Sequence, residues 1–187
     1  MTRATVVLSE GQFMDIPFES RSDVLEREYM EMIYRKTGAL FQAAGEMGAI
    51  MGGGNDRSIG LLATYGQNMG ISFQIYDDYL GMTSSEDVLG KTVGNDVREG
   101  KKTLIVIKGL ATPARGQLLS LLGRQDATKS EIRSLIAALR KQGVLESTYG
   151  MAKEYIARAK EAVEQLPPSP SRGTLVELAD YAISRRK

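Results

Sequence analysis

Apolar residues recur at helical spacing along most of the chain. The first long run covers residues 20–51, and its apolar positions are Leu25, Tyr29, Met32 and Ile33. This spacing places side chains on one face of an α-helix. Ser20 or Ser22 is suited to cap the helix at its start, and the three consecutive glycines at 52–54 predict its end.

A second long helix is predicted from Asn55 or Asp56, either of which can cap it, to about Leu80. Its apolar positions, three or four residues apart, are Leu62, Tyr65, Met69, Phe73, Tyr76 and Leu80. A neighbouring face carries Gln67, Gly70, Gln74, Asp77 and Gly81 at the same spacing. Gly66 and Gly70 each cost about 1 kcal/mol relative to alanine inside a helix. We therefore expect a ligand or another helix to approach closely there.

Further helices are predicted after a loop at 82–100. They begin near Lys101, near Pro113, at a capping box formed by Thr128 and Glu131, near 145 and near 171. The stretch TLIVIKGL has strand-forming residues, but its setting among helices favours a helix. No segment shows sustained alternation of apolar and polar residues with hairpin turns. We therefore predict one all-α domain over residues 1–187.

Composition narrows the chemistry. A net charge of +1 gives no support for a nucleic-acid or membrane-surface binder. The chain has no cysteine and no histidine, which excludes disulfides, zinc sites built on these residues and Ser-His-Asp catalysis. A bound metal must be held by oxygen atoms, so Mg²⁺, Ca²⁺ and Mn²⁺ are the candidates. Because no signal peptide and no apolar run of about 18 residues is present, we expect a cytoplasmic protein.

Two adjacent carboxylates interrupt an apolar stretch of the second helix. The stretch is FQIYDDYLG, residues 73–81, and the carboxylates are those of Asp77 and Asp78. Ionised carboxylates seldom lie among apolar side chains unless a cation or a hydrogen-bonding network holds them. The sequence therefore predicts that this part of the helix binds a cation.

Five blocks of sequence follow one another along the chain. They are SEGQFMDIPFE (9–19), MIYRKTGALFQAAGEMGA (32–49), GISFQIYDDYLG (70–81), LGKTVGNDVREGKKTLIVIKGL (89–110) and LADYAISRRK (178–187). In this order they resemble the middle and C-terminal parts of trans-isoprenyl diphosphate synthases of the archaeal short-chain type. These enzymes make geranyl, farnesyl and geranylgeranyl diphosphates.

The resemblance implies both a fold and a reaction. The fold is all-α, with long, mostly antiparallel helices around a deep central cavity. The enzymes bind an allylic diphosphate through Mg²⁺ ions, ionise it to an allylic cation, and let isopentenyl diphosphate attack that cation. A proton is then lost to the released diphosphate, so the absence of histidine is compatible with the reaction.

The resemblance also assigns roles to individual residues. Asp77 and Asp78 match the second Asp-rich motif, and we expect Asp77 to bind the metal directly and Asp78 to hydrogen-bond a metal-bound water or a lysine. The third acid of the common DDxxD pattern is replaced by Gly81, as in some archaeal-type members, which removes one possible outer ligand.

Lysines are expected to contact the substrate's diphosphate. The family pattern transfers this role to Lys36, Lys91 and Lys101, and the two later lysines should reach the diphosphate when the loop at 82–100 closes. Asp96 is expected to position that loop. Thr37 and Gln74 are expected to face the developing allylic cation, where a fixed dipole can lower a barrier by several kcal/mol.

The family's first Asp-rich motif, DDxxD followed by two arginines, does not occur in these 187 residues. We therefore expect the chain to correspond to the C-terminal part of a synthase and to have little prenyltransferase activity alone. It could be a fragment of an active enzyme, one subunit of a split enzyme, or a non-catalytic regulator. Helix faces left uncovered would promote association. We expect a homo-oligomer or a hetero-oligomer with a chain that carries the first motif.

Two other families with related features are excluded. Class I terpene cyclases share the helical fold but carry the metal motif NDxxSxxxE. In NDVREGKKT (95–103), Glu99 replaces its serine and Thr103 its glutamate. The chain also lacks a P-loop, and MGGGND follows a helix rather than a strand.

Overall fold

The computed structural model describes residues 2–84 and 93–185, which contain helices and no strand. The α-helices are α1 (Thr2–Asp15), α2 (Glu26–Ile33), α3 (Ala39–Met51), α4 (Asp56–Thr83), α5 (Asn95–Arg98), α6 (Leu104–Leu110), α7 (Arg115–Leu121), α8 (Lys129–Lys141), α9 (Val144–Glu164) and α10 (Pro170–Ser184). A 3₁₀ helix covers Ile16–Ser20 and a π-helical turn covers Tyr34–Gly38. The prediction of an all-α fold is confirmed.

The first long helix differs from its prediction in two ways. It begins at Glu26 rather than near Ser20, and the Glu28 carboxylate accepts a 2.9 Å hydrogen bond from the Leu25 backbone amide at its start. Residues 21–25 are not helical, and the 3₁₀ helix Ile16–Ser20 before them buries Phe18. A π-helical turn also joins α2 to α3, and such turns are frequent at functional sites.

Helices α3 and α4 pack against each other through glycines. A Cβ atom on Gly66 would overlap the Phe41 carbonyl, and one on Gly45 would overlap the Leu62 carbonyl. Gly66 thus lies against Phe41 and Leu62 lies against Gly45, so residue numbers increase along α4 as they decrease along α3. The two helices are therefore antiparallel. The close approach expected at Gly66 is therefore made by another helix.

Helix α4 lies between α3 and α9 and forms the centre of the structure. The Ser72 hydroxyl donates a 2.8 Å hydrogen bond to the Ala152 carbonyl, and Tyr76 contacts Tyr149 with ring centres 5.8 Å apart. These pairings make α4 and α9 antiparallel as well. At the end of α10, the Tyr76 hydroxyl donates to the Arg185 carbonyl.

The remaining predicted helices are present with small shifts in their ends. The Asn55 side chain caps α4, and Thr128 with Glu131 forms the predicted capping box of α8. Helix α6 begins at Leu104, because the Thr103 hydroxyl caps it, rather than near Lys101. Helix α7 begins at Arg115, so Pro113 lies in the preceding turn and not at the first helical position.

Candidate functional site

A cavity of about 590 Å³ opens beside the C-terminal half of α4. Its lining residues are Asp15, Tyr29, Met32, Ile33, Lys36, Gln74, Asp77, Asp78, Leu80, Gly81, Asn95, Asp96, Glu99, Lys101, Lys102 and Thr103. The lining therefore combines carboxylates, lysines and a short apolar wall. Such a combination suits a ligand with an anionic head and an apolar tail, bound together with a cation.

Asp78 is the most enclosed carboxylate of the cavity, with 7% of the residue exposed. Its Oδ2 accepts a 2.6 Å hydrogen bond from the Tyr29 hydroxyl, and its Oδ1 accepts a 3.3 Å bond from the Gln74 amide. Within the described residues it forms no ion pair with a lysine or arginine. The carboxylate is thus held by a hydrogen-bonding network but lacks a counter-ion there.

Burial raises the pKa of the Asp78 carboxyl from its ordinary value of 3.8 to about 7. The negative charge of Asp96 acts in the same direction, while the hydrogen bonds from Tyr29, Gln74 and the Leu104 backbone oppose the shift. A bound cation would favour the ionised carboxylate and lower this pKa.

The raised pKa makes stability depend on pH. Between pH 3.8 and about 7, the folded protein binds more protons at Asp78 than the unfolded chain does. Its free energy of unfolding therefore falls as pH rises through this window. In Asp78→Asn this decrease should be smaller, as measured by urea unfolding at about pH 5 and about pH 8. The control is Asp180→Asn, which removes an acid from an exposed ion pair and should show the same decrease in unfolding free energy with pH as the wild-type chain. If Asp78→Asn also showed the wild-type decrease, Asp78 would not be the group responsible for it.

Asp77 points to the outer edge of the cavity, and 47% of its side chain is exposed. It forms an ion pair with Arg185, whose guanidinium lies 3.7 Å from the centre of the Phe73 ring. The Arg185 side chain also donates to the Phe73 carbonyl at 3.3 Å. Arg185, the residue after α10, is thereby held against the part of α4 that carries Asp77.

Lys36 lies on the π-helical turn, where α1 crosses it. Gly11 makes this crossing possible, because a Cβ atom there would overlap the Lys36 backbone nitrogen. One turn further along α1, the Asp15 carboxylate accepts a 2.6 Å hydrogen bond from the Lys36 ammonium. The crossing therefore brings an acid and a lysine to the cavity together.

Thr37 follows Lys36 on the same turn and contacts α4. Its hydroxyl donates a 3.2 Å hydrogen bond to the Gln74 side-chain oxygen, while the Gln74 amide nitrogen donates to Asp78. Both ends of the Gln74 amide are thus engaged, which fixes the direction of its dipole.

Lys101 and Asp96 line the same cavity. The Lys101 ammonium lies 3.3 Å from the Asp96 carboxylate and 2.6 Å from that of Glu99. Asp96 also lies against Gly81, where a Cβ atom would be 3.1 Å from its Oδ2. The glycine that departs from DDxxD therefore leaves room for the Asp96 carboxylate.

The structure brings most of the predicted site residues together. Lys36, Gln74, Asp77, Asp78 and Lys101 line one cavity, and Thr37 joins them through Gln74. The predicted Lys91 lies outside the described residues.

The sequence analysis assigned no site role to Asp15, Tyr29 or Lys102. Asp15 lies in the block SEGQFMDIPFE, and this membership in a block that resembles the family was the sequence feature that could have indicated a site role. Lys102 is buried and donates to the carbonyls of Glu19 and Gly100. Burial lowers its pKa.

The donor atoms of the cavity fit a divalent cation that also binds phosphate. Within residues 2–84 and 93–185, no three acidic side chains lie close enough to hold a metal ion by themselves. Mg²⁺, however, commonly uses one or two carboxylates and takes its other ligands from water and substrate phosphates. Asp77 and Asp78 are adjacent and border the same cavity, so they can supply that part of the ligand set.

Comparison with known proteins identifies the family. The family model described as polyprenyl synthetase matches residues 1–139. The chain belongs to the polyprenyl synthetase family. The chain is 44% identical over 183 residues to the short chain isoprenyl diphosphate synthase of Methanothermobacter thermautotrophicus. It is 41% identical over 192 residues to the geranylgeranyl diphosphate synthase of Sulfolobus acidocaldarius. These alignments cover 96% and 100% of the chain but 56% and 58% of the two relatives.

Solved structures of family members have the same fold. The geranylgeranyl pyrophosphate synthetase of Pyrococcus horikoshii superimposes with a TM-score of 0.91 at 41% identity, covering 98% of this chain and 57% of that one. A polyprenyl synthase of Caulobacter crescentus, crystallised with calcium and isoprenyl diphosphate, gives a TM-score of 0.90 at 34% identity, covering 100% and 58%. The chain thus spans little more than half the length of these relatives.

In the part of the chain that the structure describes, no helix combines the length and the apolar character needed to cross a membrane.

Proposed function

We propose that the protein containing this chain is an isoprenyl diphosphate synthase of isoprenoid biosynthesis. The chain would supply the site for the allylic diphosphate. The observation that carries the proposal is that Asp77, Asp78, Lys36 and Lys101 line a single cavity in a polyprenyl synthetase fold. The names of its relatives support the same activity.

Asp77 and Asp78 are proposed to hold divalent metal, with Mg²⁺ as the expected ion. The Caulobacter structure, which is complexed with calcium and isoprenyl diphosphate, supports a divalent cation in this fold. When bound, the metal would neutralise the diphosphate and so make it a better leaving group. Asp96 and Asp15 border the same space and can accept hydrogen bonds from metal-bound water.

The lysines are proposed to bind the diphosphate oxygens directly. The Lys36 ammonium contacts Asp15, and the Lys101 ammonium contacts Asp96 and Glu99. Each would exchange a carboxylate partner for a phosphate oxygen, which keeps the charge paired. Hydrogen bonds between charged groups are among the strongest in proteins.

The reaction breaks the bond between the allylic carbon and the diphosphate oxygen, and the electron pair leaves with the diphosphate. The double bond of isopentenyl diphosphate then attacks the allylic cation and forms the new carbon–carbon bond. Loss of a proton to the released diphosphate restores a double bond. Gln74, fixed by Thr37 and Asp78, would direct its dipole at the cation, while Met32, Ile33 and Leu80 exclude water from the apolar wall.

Binding of dimethylallyl diphosphate tests this proposal with residues that the chain contains. Isothermal titration calorimetry should detect binding with Mg²⁺ and lose it when the metal is removed with EDTA. Lys36→Gln should weaken the affinity about tenfold because a charge-assisted contact is lost. Lys160→Gln, which removes a lysine from an exposed ion pair on α9, should bind normally. The absence of Mg²⁺-dependent binding in the wild-type chain would contradict the proposed function.

Association with another polypeptide chain is a further part of the proposal. Several apolar side chains are exposed on α1, the 3₁₀ helix and α3: Val6, Phe13, Ile16, Leu40, Ile50 and Met51. A second copy, or a chain that carries the first Asp-rich motif, would remove them from water. Size-exclusion chromatography with light scattering should show an oligomer for the pure chain or for its mixture with such a partner. A monomer under both conditions would contradict this part of the proposal.

A further inference from the structure

Tyr29 places a single hydroxyl group at the base of the cavity. The residue lies on α2 and is 2% exposed, which makes it one of the largest fully buried side chains. Its hydroxyl donates a 2.6 Å hydrogen bond to Asp78, 49 residues away on α4. Burial, followed by the charge of Asp78, raises its pKa well above 10.0, so the hydroxyl keeps its proton and remains a donor.

The aromatic ring of Tyr29 packs in the core, but core packing does not account for the hydroxyl. Phenylalanine would fill the space of the ring without adding a polar group to be desolvated. The hydroxyl instead satisfies one oxygen of a carboxylate that has no ion pair within the described residues. The Tyr29 hydroxyl therefore has a specific hydrogen-bond partner, the carboxylate of Asp78 in the cavity.

A string of hydrogen bonds continues from this contact across three helical segments. Tyr29 donates to Asp78 Oδ2, Gln74 donates to Asp78 Oδ1, and Thr37 donates to the Gln74 oxygen. The Tyr29 bond is the shortest of the three. Without this hydrogen bond, the Asp78 carboxylate could rotate about χ2, because the terminal torsion of aspartate allows a broad range of angles.

We propose that Tyr29 is a positioning residue, whose hydroxyl holds the Asp78 carboxylate, and through it the Gln74 amide, in the orientation that binds the metal and diphosphate. This inference rests on the proposed function. It adds a residue that touches neither substrate nor metal and acts through Asp78. Partners of metal-binding carboxylates commonly change metal affinity by about 10- to 100-fold when they are removed.

Tyr29→Phe removes the hydroxyl and keeps the ring. Equilibrium dialysis with radiolabelled inorganic pyrophosphate, at a fixed concentration and varied Mg²⁺, gives the Mg²⁺ concentration for half-maximal binding. We expect this concentration to rise about tenfold in Tyr29→Phe. Tyr65→Phe is a matched control, because the Tyr65 hydroxyl donates a 2.8 Å hydrogen bond to the Leu175 carbonyl, away from the cavity. Its Mg²⁺ midpoint should equal that of the wild-type chain.

Thermal unfolding of both variants separates positioning from simple packing. Each variant loses one hydroxyl hydrogen bond and should have a lower Tm, with the larger decrease in Tyr29→Phe because its partner is a buried carboxylate rather than a backbone carbonyl. Only Tyr29→Phe should change the Mg²⁺ midpoint. If Tyr29→Phe lowers Tm and leaves the Mg²⁺ midpoint unchanged, Tyr29 is a core residue and the inference is wrong. If the wild-type chain fails to bind pyrophosphate with Mg²⁺, the proposed function itself fails and the inference fails with it.

Discussion

Replacing Asp77 by asparagine is expected to weaken the Mg²⁺-dependent binding of pyrophosphate about a hundredfold, which corresponds to about 2.7 kcal/mol. Asparagine has nearly the same shape but carries no charge, so the change removes the negative charge that Asp77 contributes to metal binding. The half-exposed Asp77 carboxylate is the accessible acid of the pair, whereas Asp78 is buried among its hydrogen-bond donors.

The control for this prediction is Asp180→Asn. Asp180 is an exposed acid paired with Lys160 at 2.9 Å, as Asp77 is paired with Arg185. The exposed Asp180–Lys160 pair contributes at most about 1 kcal/mol to stability, so Asp180→Asn should unfold near the wild-type temperature. Asp77→Asn removes the ion-pair partner of the Arg185 guanidinium, whose side chain is only 10% exposed, and should lower the unfolding temperature further. Calorimetric titration of pyrophosphate with Mg²⁺ should then separate them. An Asp77→Asn affinity within about threefold of the wild-type value would show that this carboxylate is not a metal ligand.

The helices could be predicted because their signals are local. Apolar stripes on a 3.6-residue period, the cap at Asn55 and the capping box at Thr128 depend on residues a few positions apart. The start of the first long helix could not be read in this way. The segment before Glu26 buries Phe18 in a 3₁₀ helix, and this contact depends on packing with distant residues.

The π-helical turn at Tyr34–Gly38 shows the same limit within a helix. Nothing in the spacing of apolar residues distinguishes it from the α-helix on either side. The turn lies where α1 crosses at Gly11 and where Gly38 packs near Gly70 of α4. Its geometry therefore accompanies tertiary contacts that a local pattern does not contain.

The candidate site divides in the same way. Asp77 and Asp78 were predictable because charged residues within an apolar stretch need a partner. Tyr29 was assigned only to the apolar stripe of its helix, since spacing describes the ring and not the hydroxyl. The contact between Tyr29 and Asp78 joins residues 49 positions apart and exists only after α2 packs against α4.

The packing of α3 against α4 predicts a large loss of stability when a glycine between the two helices is replaced. Gly66→Ala is expected to reduce the free energy of unfolding by about 3 kcal/mol, because the added methyl group would overlap the Phe41 carbonyl and approach the Gln42 backbone. The contact atoms belong to the backbone of a 13-residue helix and cannot rotate away as a side chain could. The two helices must separate instead, which loosens the packing around α4.

Gly60→Ala provides the matched comparison on the same helix. A Cβ atom at Gly60 has no neighbour within 4 Å, so this substitution should stabilise α4 by up to about 1 kcal/mol through helix propensity. Urea unfolding followed by circular dichroism should therefore move the two midpoints in opposite directions. If Gly66→Ala were as stable as Gly60→Ala, the helices would not be in glycine-mediated contact. The antiparallel arrangement that brings Thr37 to Gln74 would then lose its support, because it is inferred from the same contact.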